Sequence, residues 1–127
     1  MPVATRPTDA ELAILRVLWD RGPSTVRQVF EVLSAERELG YTTVLKMLQI
    51  MDEKGLVRRD GSDRVHVFTA RYSQSQTQQH LLGDLLDKAF GGSAKSLVLQ
   101  ALATRRASRE ELAEIRQLLD QAEGGKP

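Results

Sequence analysis

The chain has 127 residues, 41% of them hydrophobic and 28% charged, the composition of a soluble globular protein of one domain or two small ones. With 18 basic residues against 17 acidic ones and no cysteine, it carries no strongly basic coat and has no route to disulfides, thiolate metal sites, cysteine nucleophiles or thiol switches. No stretch approaches the ~18 to 20 apolar residues of a membrane-crossing helix, and residues 1–10 lack a signal-peptide core, so a cytoplasmic protein without membrane insertion is the expectation.

Residues 1–72 hold 11 Lys or Arg and 10 Asp or Glu, and residues 73–127 hold 7 and 7. Neither half is a charged tail, and any contact with nucleic acid must come from where the charges sit rather than from their sum.

The stretch TDAELAILRVLWDRG opens with Thr8 and has Glu11 three residues on, a capping box that predicts a helix start. Leu12, Leu15, Leu18 and Trp19 follow at helical spacing, and Gly22 with Pro23 ends the segment. After Pro23, STVRQVFEVLSAER places Val26, Val29, Phe30 and Leu33 on one face, with Arg27, Gln28 and Glu31 outward. Beyond a charged turn at 37–40, YTTVLKMLQIMDEKG repeats the spacing with Val44, Met47, Leu48 and Met51 before Gly55.

At 100° per residue, the opposite face of this third helix holds Thr42, Lys46, Gln49 and Glu53, flanked by Thr43, Leu45 and Ile50. Short hydroxyls, an ammonium and an amide can hydrogen-bond base edges or phosphates in a major groove. Alone, such a face is more often simply solvated. Its context is LVRRDGSDRVHVFTARY, two strand-like runs at 56–59 and 64–70 around a Gly-containing loop, which predicts a hairpin. Three helices followed by a hairpin with Arg58, Arg59 and Arg64 near its tip is the order of a winged helix-turn-helix. The candidate DNA-contacting set is therefore Tyr41, Thr42, Thr43, Lys46, Gln49, Arg58, Arg59 and Arg64.

The string YTTVLKMLQIMDEKGLVRR resembles the recognition helix and first wing strand of the penicillinase repressor family, the winged-helix repressors of the BlaI, MecI and CopY type. TDAELAILRVLWDRG, with its Leu18–Trp19 pair, is similar to that family's first helix, and FGGSAKSLVLQAL to its Gly-Gly linker and the helix after it, so the resemblance spans about residues 8–121. It implies a homodimer in which each winged helix reads one half of an inverted-repeat operator, with Thr42, Thr43 and Lys46 as DNA contacts and Arg64 in the wing. Leu45 departs from relatives that carry a polar or basic residue there, so the operator sequence does not transfer from them. The resemblance also implies release by a membrane-bound sensor metalloprotease that cuts between an Asn and a Phe after a Ser-Leu-Val-Leu run. Here that run, at 96–99, is followed by Gln100 and Ala101, which makes this pair the candidate cleavage site and weakens the match to a pocket suited to Phe.

From 73 on, a polar run at 73–79 predicts a boundary between a winged helix-turn-helix over 1–72 and a helical dimerisation region over 73–127. Three amphipathic segments follow, with Leu82, Leu85, Leu86 and Phe90 in the first and Leu97, Val98 and Leu102 in the second. The third starts at Ser108 and Glu111 and carries Leu112, Ile115 and Leu119. About 55 residues in three helices bury little surface alone, so this leucine-rich set is expected to pack against a second copy, or else against the N-terminal domain.

His66 and His80, 14 residues apart, lack the spacing of metal ligands; no phosphate loop and no catalytic constellation occurs, and no cofactor or metal is expected. The absence of cysteine also disfavours the copper-responsive branch of the resembled family, whose sensor is a Cys-x-Cys tail. The expected fold is mainly α with a small β-hairpin wing. The expected function is transcriptional repression through double-stranded operator DNA; the alternative is a winged-helix protein-interaction module without specific DNA binding, with an enzyme a distant third.

Overall fold

The computed structural model describes residues 6–61 and 65–124. Two compact units divide the chain, Met1–Gly83 and Asp84–Pro127.

In the first unit, helix α1 spans Asp9–Arg21. The Glu11 N–H donates to Thr8 Oγ1 at 3.1 Å and the Thr8 N–H to Glu11 Oε1 at 3.0 Å, so the expected capping box forms and satisfies two donors that a helix start leaves open. Gly22, at φ 88°, stops the helix in a backbone region that side chains avoid. Beyond Pro23 the chain differs from the expected helix start: Ser24–Thr25 form a short strand, β1. Thr25 builds a second capping box with Gln28 at the start of α2, Val26–Leu33. A residue in that capping role has an extended backbone, and the strand pairs antiparallel with the later hairpin, Ser24 opposite Phe68 and Thr25 opposite Val67.

Helix α3 spans Tyr41–Lys54 and ends at the left-handed Gly55, after which the Leu56 N–H returns to the Met51 carbonyl at 2.9 Å. Strands β2, Val57–Asp60, and β3, Val67–Ala70, pair antiparallel, so the expected hairpin becomes a three-stranded sheet in the order β1-β3-β2. β2 begins one residue after the start of the strand-like run at 56–59, and β3 takes only the last four residues of the run at 64–70, whose first residue lies outside the described residues. Ile14 from α1, Val29 from α2, Val44, Leu48 and Met51 from α3 and Phe68 from β3 are all buried in one core. Near it, Lys54 at the end of α3 reaches the nearly buried Glu11 of α1 at 2.9 and 3.2 Å, tying the two helices together.

Helix α4 spans Gln74–Phe90 and runs through the division between the units. The polar run at 73–79, expected as a boundary, instead starts this helix: Ser73 and Gln76 cap each other and Thr77 is buried. Its beginning belongs to the first unit, because the Trp19 indole donates to the Tyr72 carbonyl at 3.0 Å and Leu12, Trp19, Thr77 and Leu81 line one groove.

Gly91 and Gly92 take left-handed φ values of 58° and 82°, which end α4 before the next helix starts. Helix α5, Ala94–Thr104, starts at Ser93, whose hydroxyl accepts from the Ser96 N–H; α6, Arg109–Gly124, starts after Ser108, whose hydroxyl accepts from the Glu111 N–H. No residue of α5 or α6 is buried, and Leu99, Leu118 and Leu119 are each more than half exposed. Among the described residues, no helix is long and apolar enough to cross a membrane.

Candidate nucleic-acid interface

Two sides of α3 have opposite fates. Val44, Leu48 and Met51 are fully buried, which fixes the rotation of the helix about its axis. Thr42, Lys46, Gln49 and Glu53 then lie on the exposed side with Thr43 on its flank, as the 100° spacing predicts, while Tyr41, in the first turn on the core-facing side, is exposed because it stands at the helix end. Ile50 joins them, 42% exposed, whereas Leu45 is half-buried against the core.

Alternation along β2 separates the two hairpin arginines, since successive side chains of a strand point to opposite faces. Both are exposed. Arg59, paired with Phe68, turns toward α3 and lines a cleft of about 380 Å3 with Arg27, Tyr41, Gln49 and His66; Arg58, paired with Thr69, is not part of that lining. Arg64 lies outside the described residues. The first unit thus brings Tyr41, Gln49 and Arg59 together around one cleft, with Thr42, Thr43 and Lys46 on the neighbouring exposed face of α3.

Two residues of this surface were not among those singled out from sequence. Arg27 reads only as outward-facing on α2, yet its guanidinium lies 5.2 Å from the centre of the Tyr41 ring, which in turn meets Phe30 edge to face at 5.8 Å. His66, half-buried, lines the cleft and has Nδ1 3.3 Å from the Gly61 carbonyl. No pattern along the chain announces either placement, because each depends on how α2 and the hairpin approach α3. Among the described residues, no group of three or more His, Asp or Glu side chains could hold a metal ion.

The family model described as penicillinase repressor matches residues 7–121. The chain belongs to the penicillinase repressor family. Within that family it is 35% identical over 126 residues to the transcriptional regulator BlaI of Mycobacterium tuberculosis, covering 98% of this chain and 91% of the relative. It is 27% identical over 114 residues to the penicillinase repressor of Bacillus licheniformis, covering 90% and 89%. The solution structure of the monomeric form of Bacillus licheniformis BlaI in complex with the blaP half-operator aligns with a TM-score of 0.50 at 27% identity, over 56% of this chain and 87% of that one. Three helices, a short strand and a two-stranded wing are accordingly this penicillinase repressor family member's winged helix-turn-helix.

Proposed function

We propose that this chain is a transcriptional repressor that binds double-stranded operator DNA as a homodimer, each winged helix reading one half of an inverted repeat. The observation that carries the reading is the polar side of α3, held outward by the complete burial of Val44, Leu48 and Met51. Thr42, Thr43, Lys46 and Gln49 supply donors and acceptors matched to base edges, while Arg58 and Arg59 supply charge for the flanking backbone. Glu53, near the far end of the helix, repels phosphate and limits how much of α3 enters the groove. A named complex of a family member with a half-operator supports the half-site arrangement.

What the second unit leaves uncovered supports the dimer. Leu85, Val98, Leu102 and Leu119 are exposed, Leu86, Phe90, Leu97, Leu112 and Ile115 are only half-buried, and Leu82 at the end of the first unit is exposed as well. Covering such faces with a second copy removes apolar surface from water at roughly 25 cal/mol per Å2. A single module on DNA buries only about 600 to 1,000 Å2, so joining two half-sites supplies the affinity that repression needs.

Release belongs to the same reading. Gln100 and Ala101 are exposed in the middle of α5, after the run at 96–99, and cleavage of the bond between them by a membrane-bound sensor metalloprotease would sever the helix that carries Leu97, Val98 and Leu102. The helix must open locally before a protease can take an extended segment. Following the repressor's mass in induced cells checks this step: a fragment ending at Gln100 is expected, and intact protein during full derepression sinks it. For the DNA reading, titration of the full chain on its own promoter fragment should show binding that weakens steeply with salt, by counterion release. Binding indifferent to salt, or none, would turn the winged helix into a protein-interaction module.

A further inference from the structure

We propose that Arg27 of α2 is a DNA-backbone contact, oriented by Tyr41, and that Arg27 and Arg59 together hold a phosphate of one strand at the cleft between α2, α3 and the wing. This rests on the DNA-binding reading above and names a further contact of the same surface. Arg27 is the second residue of α2, where a cation meets the positive end of the helix dipole, so the stability of α2 does not account for it. Nor does an ion pair: no carboxylate among the described residues is bonded to Arg27. Its partner is the face of the Tyr41 ring, 5.2 Å away, and Tyr41 is itself held by the edge contact with Phe30. The contact with the ring face restrains the guanidinium without using up its N–H groups, which reduces the side-chain entropy lost on forming a bidentate bond to phosphate.

Position matters as much as preparation. Tyr41 is the first residue of α3, so the contact places Arg27 at the N-terminal end of that helix, the end that also carries Thr42 and Thr43. Arg59 lines the same cleft from the wing strand, and the intervening space of about 380 Å3 admits a phosphate with part of its sugar. Arg27 supplies charge and register but no base information, since a phosphate looks alike at every sequence. Without the Arg27 charge, each protomer should release about one fewer counterion on binding.

The test uses the full chain on its own promoter fragment and on random duplex DNA over a series of salt concentrations. Arg27→Ala should weaken both by a similar factor, roughly 5- to 20-fold, and lower the slope of log affinity against log salt by about one per protomer. Arg27→Lys, which keeps the charge and loses the planar guanidinium, should retain the slope while losing part of the affinity. An Arg27→Ala variant with wild-type affinity and slope overturns the proposal. So does a loss accompanied by a lower unfolding temperature and an unchanged slope, which makes the contact a structural lock between α2 and α3. Wild-type protein that shows no salt-dependent binding overturns the repressor reading itself, and this contact with it.

Discussion

Lys46 and Thr43 stand on the exposed side of α3 one turn apart, with Val44 between them in sequence and fully buried. Truncating either side chain therefore removes a donor or acceptor from the groove without touching the core. Lys46→Ala and Thr43→Ala should each weaken operator binding by about 1 to 3 kcal/mol with the oligomeric state unchanged, measured by titration on the promoter fragment. Wild-type affinity in both would move the reading surface off α3. A different residue pair sets the position of that helix. Glu11 is 7% exposed at its side chain and accepts from both Thr8 and Lys54, so Lys54→Met strands a carboxylate close to the core. We expect a loss of about 1 to 3 kcal/mol in urea unfolding, and a smaller one for Glu11→Gln, whose amide oxygen still accepts from the Thr8 N–H. If both variants unfold like wild type, solvent screens the pair and burial of the apolar face alone holds α3.

One backbone position constrains the wing. Gly61 has φ 112°, and a Cβ placed there would come within 2.6 Å of the Val65 carbonyl oxygen and 3.0 Å of His66 Cα. Any side chain at 61 must therefore shift backbone on the far side of the loop, beyond the strain of the φ itself. Gly61→Ala should leave the three-helix core folded, as judged by circular dichroism, and lower affinity on operator and random DNA alike, because the wing is assigned to backbone contact. A loss confined to operator DNA would mean that the wing reads sequence. The short strand β1 bears on the same element. It pairs with β3 on the side opposite β2, so the hairpin is flanked by a third strand rather than hanging free from the helices.

The two compact units carry the two halves of the proposed activity. The first closes a core of its own, including the start of α4 through Thr77 and the Trp19 bond to Tyr72, whereas α5 and α6 bury no residue. A fragment ending at Gly83 should keep its winged-helix spectrum, sediment as a monomer and bind a half-site weakly, because the helices that expose Leu85, Val98, Leu102 and Leu119 are gone. A fragment that still sediments as a dimer would place the subunit contact in the winged helix and overturn the role proposed for the second unit. Cutting at residue 72 is the harsher experiment, since it removes Thr77 and Leu81 from the groove they share with Leu12 and Trp19.

Local chemistry sufficed for the elements: a capping box at Thr8 and Glu11, the 100° spacing of Val44, Leu48 and Met51, and the glycines at 22, 55, 91 and 92 act within a few residues of chain, so they are legible one segment at a time. The outward set on α3 was legible for the same reason, because burying one side of a helix dictates what the other side presents. Only the tertiary structure decided which long-range partners those segments meet. The strand at Ser24–Thr25 exists because β3 lies beside it, the first unit reaches Gly83 because Trp19 and Thr77 pack where the polar run begins, and Arg27 enters the interface because α2 brings it over the Tyr41 ring. Each of these is an energy between residues 14 to 58 positions apart or between separate elements, and no periodicity within a single segment encodes it.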